Sequence, residues 1–169
     1  MKFVTTKLWN DDVRSGNTRE ALKKSLENLG LDYVDLYLIH WPAEGYVEAY
    51  LEMEKLQKEG LTRSIGVSNF RKSHLQNLLS KVHIVPSINQ IETNPQMVDE
   101  ETIQYCKENK IGVEAWSPLG SGACLNNPKI QEIANKYQKS SAQIILRWLL
   151  QKGIVILPKS VHEIELKKI

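Results

Sequence analysis

Cysteine is scarce in this sequence: Cys106 and Cys124 are the only two, and neither sits at metal-ligand spacing from other ligands. That excludes a disulfide-stapled secreted scaffold and a zinc ribbon, and makes a reducing, cytoplasmic setting the expectation. Cys106 falls on a helical pattern and reads as a packing residue; Cys124 stands in a Gly-rich loop where its thiol could react, although nothing basic flanks it closely. Long apolar runs are missing too. None approaches the ~20 residues that span a bilayer, and the N-terminus lacks a signal-peptide core. Charge of one sign is also lacking. A net charge of +2, with no Lys/Arg block beyond Lys167 and Lys168, gives no reason to expect nucleic acid or an anionic membrane as partner. No linker or low-complexity tract interrupts the 169 residues, of which 41% are hydrophobic and 25% charged, so one domain over residues 1–169, or part of a larger one, is expected.

What is present is a regular alternation. Strands are expected at Phe3–Thr6, Val34–Ile39, Ser64–Val67, Ser87–Ile91, Ile111–Ala115 and Ile154–Leu157. Helices are expected from Thr18 to a stop at Gly30, then over Val47–Lys58, His74–Leu79, Val98–Asn109, Lys129–Tyr137 and Ala142–Gln151, the last capped by Ser140 or Ser141; Asn10–Gly16 reads as a polar loop. Unbroken β–α alternation implies a parallel sheet with right-handed crossovers. Ile154, Val155 and Ile156 leave no polar face, which implies cover on both sides. An open doubly wound sheet and a (β/α)8 barrel both satisfy this. No GxGxxG turn follows any strand, which disfavours a dinucleotide-binding open sheet. The better reading is a (β/α)8 TIM barrel, incomplete, with about six of eight units present.

In a parallel barrel the residues that end the strands share one rim. Here they are Lys7 with Trp9, His40 with Trp41, Ser68 with Asn69, Gln90 with Glu92, Trp116 with Ser117, and Lys159 with Ser160. Each has a purely structural alternative: His40 can be satisfied by backbone, Lys7 solvated, Asn69 and Gln90 spent on loop backbone, the indoles core. Converging together, they describe a cleft with stacking surfaces and charge.

The motifs VTTKLW, YLIHWP, RSIGVSNF, INQIETNP, EAWSPLGSG and ILPKSV, in this order, resemble those of the aldo-keto reductase family over nearly the whole chain, in a bacterial-type version. The resemblance implies a (β/α)8 barrel and hydride transfer between a nicotinamide, usually that of NADPH, and the carbonyl of an aldehyde or ketone. It assigns Lys7 and His40 to the catalytic tetrad, a lysine that lowers the pKa of a neighbouring phenol and a histidine that orients the carbonyl. It assigns Ser68, Asn69 and Gln90 to the nicotinamide carboxamide and Trp116 to stacking beneath the ring. Ser117, Leu119 and Ser121 match the pyrophosphate loop, and Lys159 and Ser160 the contacts to the adenosine 2′-phosphate. Trp9 and Trp41 match apolar walls of the substrate pocket. No metal is implied.

The sequence also departs from the family. The tetrad's aspartate and tyrosine lie in units that would precede Met1, so an impaired fragment is expected. Tyr46 is the nearest substitute in sequence. An inactive nicotinamide-binding regulatory or partner-binding subunit is the alternative. Glu165 stands near a usual arginine, and a carboxylate there would repel a 2′-phosphate, which leaves NADH open. The full-length relative is expected to be a monomer, whereas open sheet edges leave self-association of the short chain open.

Overall fold

The computed structural model describes residues 2–161 and 163; Glu165, on which the choice of NADH turns, lies outside the described residues. Helices and strands alternate along the described residues, with six strands among them. Among the described residues no helix is long and apolar enough to cross a membrane. Contacts divide the chain into two compact units, Met1–Asn89 with Tyr105–Ile111, and Gln90–Gln104 with Gly112–Ile169.

The first unit contains β1 (Thr5–Leu8), α1 (Asn10–Ser15), α2 (Thr18–Leu29), β2 (Val34–Ile39), α3 (Tyr46–Lys58), β3 (Thr62–Ser68) and α4 (Lys72–Leu79). β2 pairs in parallel with β1 and β3, and all six of its residues are buried, so both of its faces are covered. Tyr37, Leu38 and Ile39 of β2 are sealed with Leu22, Tyr50, Met53, Leu56 and Leu75 from the helices. Burying one such aliphatic side chain is worth about 1.5–3 kcal/mol. Gly66 lies where β3 is tightest: a Cβ there would come within 2.6 Å of the Ile88 carbonyl oxygen and 2.8 Å of Leu38 Cδ2. Glu54 of α3 turns a buried carboxylate onto the loop after α4 and accepts from His83 N and Ile84 N, both at 2.7 Å.

Two expectations fail here. Asn10–Gly16 is a helix, α1, and not a loop: Val13 gives it a buried anchor, Asp11 and Asp12 suit its first turn, and Gly16 closes it in the left-handed conformation (φ 72°). β1 lies later than Phe3–Thr6 because its register on β2 runs from Thr5↔Leu36 to Leu8↔Ile39, leaving Phe3 exposed. Cys106, expected to pack, is fully buried.

β4 (Ile88–Glu92) and α5 (Glu100–Glu108) contribute to both units; the second unit further holds β5 (Gly112–Trp116), a 3-10 segment (Gly120–Asn126), α6 (Pro128–Tyr137), α7 (Ser141–Gln151) and β6 (Val155–Ile156). β6 pairs in parallel with β5. Ser140 caps α7 in a reciprocal capping box with Gln143. Cys124, whose thiol could react on the sequence alone, is fully buried in the 3-10 segment, its Sγ 3.7 Å from Asn94 Oδ1.

Candidate active site

The register of β1, β2 and β3 brings the first unit's candidate residues together. With Leu8 opposite Ile39 and Ile39 opposite Val67, the next residues, Trp9, His40 and Ser68, come level at the strand ends. His40 N donates to Leu8 O at 3.0 Å, which holds the histidine where the strand stops. Its ring meets Trp9 edge-on, with centroids 4.8 Å apart, and lies nearly parallel to Trp41 at 6.4 Å. Both indoles are unusually open for tryptophan, at 52% and 43% exposure, and so present free apolar surface. Trp9 owes its position to α1, for which it is the N-cap residue.

Burial and the positive charge of Lys7 both lower the His40 pKa below its ordinary value, so the imidazole is neutral at neutral pH. A neutral imidazole carries one donor and one acceptor nitrogen. Lys7 lies within β1, one residue before its end, and not past the strand. Asn69 adopts a left-handed backbone (φ 62°), and its amide nitrogen donates to His40 O at 3.0 Å and to Ser68 Oγ at 3.1 Å. Tyr46 opens α3, and its hydroxyl accepts from Asn77 Nδ2 at 2.6 Å, so it is occupied on α4.

The second unit holds the remaining candidate residues. Gln90 sits mid-strand in β4, deeper than the strand end, and its Nε2 donates to Glu114 Oε2 at 2.6 Å. Trp116 ends β5 half-buried, and its carbonyl accepts from Thr93 N. Beyond it the backbone is left-handed at Ser117, Gly120, Ser121 and Gly122, and the Ser117 and Ser121 hydroxyls stand 3.4 Å apart. Leu119 is the N-cap of the 3-10 segment. Asn94, 3% exposed, supports this loop, with its amide nitrogen 3.5 Å from Ser117 O and its Oδ1 accepting from Gln96 N at 3.0 Å. Lys159 is exposed and Ser160 half-buried, after β6. Glu114 and Asn94 had not been singled out from the sequence. A carboxylate between Val113 and Ala115 of a buried strand is the available signal for the first; Asn94 in INQIETNP gives none.

Alternating β–α units define an α/β protein. The chain belongs to the aldo/keto reductase family, whose sequence pattern matches residues 2–169. The chain is 50% identical over 167 residues to the uncharacterized oxidoreductase YtbE of Bacillus subtilis, covering 98% of this chain and 60% of that protein. It is 49% identical over 162 residues to the glyoxal reductase of the same organism, covering 95% and 59%. Among solved structures, the Bombyx mori aldo-keto reductase AKR2E4 in complex with NADP superposes with a TM-score of 0.90 at 40% identity, covering 98% of this chain and 61% of that one. The fold is that of part of the family's (β/α)8 barrel, and the chain spans about 60% of the length of the curated relatives it matches.

Proposed function

We propose that these residues serve an NADPH-dependent reductase that converts the carbonyl of a small aldehyde or ketone into an alcohol. The observation that carries this reading is His40: neutral, set between two uncovered indoles, with Lys7 beside it. A neutral imidazole N–H can donate to a carbonyl oxygen, which aligns the carbonyl and draws charge onto oxygen as the carbon is reduced. Trp9 and Trp41 offer the carbon end of the substrate a flat apolar wall. Lys7 is suited to stabilising a neighbouring phenolate and so easing proton delivery.

The donor set fits a nicotinamide dinucleotide. Ser68, Asn69 and Gln90 offer a hydroxyl and two amides for a carboxamide, and Trp116 offers a flat face for the ring. Left-handed residues at Ser117 and at Gly120, Ser121 and Gly122 bend the backbone into a turn of the kind that cradles anionic groups, which suits Ser117, Leu119 and Ser121 to a pyrophosphate. Lys159 and Ser160 suit an adenosine 2′-phosphate. Bound NADPH would supply the hydride. The likeness to a glyoxal reductase favours a small 1,2-dicarbonyl among the carbonyl substrates. Two free, buried cysteines support a reducing, cytoplasmic setting.

NADPH quenching of tryptophan fluorescence and loss of NADPH absorbance with glyoxal test the reading. Saturable binding is expected, with only weak reduction by this chain, since the family's tyrosine acid has no counterpart among its motifs, and with His40→Ala sparing binding. A wild-type chain to which NADPH does not bind would sink the proposal.

A further inference from the structure

His74 stands behind both segments that carry the first unit's candidate residues. Arg71 is the N-cap residue of α4 and His74 the third residue of that helix, and Arg71 N donates to His74 Nδ1 at 3.1 Å. The half-buried His74 ring meets Phe70 edge-on, with centroids 5.9 Å apart, and Tyr46 at 6.3 Å. Phe70 is fully buried and directly follows Asn69, whose amide donates to the His40 carbonyl. Tyr46 opens α3 at the end of the loop that carries Trp41. Two side chains thus fasten the turn over residues 69–71. Asn89 Nδ2 donates to Phe70 O at 2.8 Å, a bond between groups that do not titrate. The bond to His74 does depend on a proton. A backbone N–H needs an acceptor, so Nδ1 is bare and the ring neutral, with its hydrogen on Nε2; protonation would set N–H against N–H. Tyr46 is the titratable group that faces the ring from α3, and Arg71 the charge that bears on it. Burial, and then the Arg71 charge, hold the His74 pKa below its ordinary value, which keeps the ring in the accepting form at neutral pH.

We infer that His74 is a positioning residue that fastens the turn over residues 69–71, and with it the Asn69 clamp on the His40 carbonyl, only while its ring is unprotonated. In acid the turn is released at its α4 end while Asn89 still holds Phe70. The unfolded chain takes up the His74 proton first as pH falls, so the fastening is complete above about pH 6.5 and is lost as pH drops through the lower folded value. The inference rests on the cofactor reading above for its effect on function alone: Ser68 and Asn69 flank this turn, so acid should weaken their hold on a dinucleotide.

The test is NMR of the chain as pH is lowered, following the His74 Cε1–H resonance, the exchange protection of the Arg71 amide and the side-chain amide resonances of Asn69. In wild type the Arg71 protection factor should fall about fivefold, and the Asn69 resonances should shift, with the midpoint of His74. His74→Gln keeps an acceptor that reaches back to the same N–H and does not titrate. It should match wild type at neutral pH, keep its Arg71 protection in acid, and lose the Asn69 shift that follows His74. His74→Leu fills the apolar place without an acceptor and should show the acid values at every pH. NADP+ affinity should fall about threefold more in acid for wild type than for His74→Gln. Constant Arg71 protection in wild type through the His74 midpoint overturns the inference. So does an Asn69 shift of undiminished size in His74→Gln, which would belong to His40. A wild type that does not bind NADP+ at neutral pH overturns the cofactor reading, and the NMR signals then decide the role of His74 by themselves.

Discussion

The side-chain amide of Asn69 donates across 3.0 Å to the main-chain carbonyl of His40, tying the end of β3 to the end of β2 at the residue that faces the substrate in our reading. Asn69 can do this because its backbone is left-handed (φ 62°), a conformation asparagine tolerates better than most residues. Asn69→Ala loses the clamp and adds backbone strain, and should cost about 2 kcal/mol in urea unfolding. Asn69→Gly relieves the strain but not the lost bonds, and should recover about half of that. Equal stability of the two variants would show that the backbone contributes nothing.

The protonation of His40 should follow Lys7. The Cε1–H resonance of His40 is expected to titrate below pH 6.5, and Lys7→Met should move the midpoint up while burial keeps it under the ordinary value. An unmoved midpoint would mean that the lysine charge does not reach the ring. The sign for stability follows from the same shift. The unfolded chain takes up this proton first as pH falls, so the contribution of His40 is lost from about pH 6.5 downward through its folded pKa.

Glu54 should be the most costly carboxylate to remove in the first unit. Burial alone pushes its pKa up, but hydrogen bonds from Ile84 N, His83 N and the His83 ring outweigh it and leave the pKa lowered. Glu54→Ala strands two backbone N–H groups and should destabilise by about 3 kcal/mol in denaturant unfolding at pH 7. With a lowered folded pKa, this support is complete above about pH 4.5 and disappears as pH falls through the folded value. The gap between wild type and variant should therefore narrow in acid. A gap that is constant with pH would contradict an ionised Glu54.

Gly66→Ala is predicted to cost about 2–3 kcal/mol, because the added methyl meets the Ile88 carbonyl oxygen and Leu38 Cδ2 at distances that real contacts do not show. Thermal melting of the variant reads this directly; a loss under 0.5 kcal/mol would mean that β3 and Ile88 can part without penalty.

Much of the fold was legible because the strongest elements state themselves. The run VDLYLI, mostly apolar on both alternations, falls as one buried strand, with the bounds expected, Val34–Ile39. Leu22, Leu26 and Gly30 mark α2 by period and stop. α1 was not legible, since one turn with a single apolar residue, Val13, has no period to detect. β1 was displaced because its bounds come from pairing with β2 and not from its own residues. The level of Trp9, His40 and Ser68 followed from strand ends, whereas the Gln90–Glu114 bond depends on which way two side chains turn, which no spacing encodes. The burial of Cys124 was hidden for a related reason: glycines around it suggested an open loop, but their left-handed turns fold the segment onto Asn94.

Trp9 has its indole edge-on to the ring of His40, Trp41 lies nearly parallel to that ring, and these are two of the four tryptophans in the chain. An imidazolium quenches indole emission far more than an imidazole does. The protein therefore carries a built-in optical gauge: its native fluorescence should report, without any label, whether His40 holds a proton.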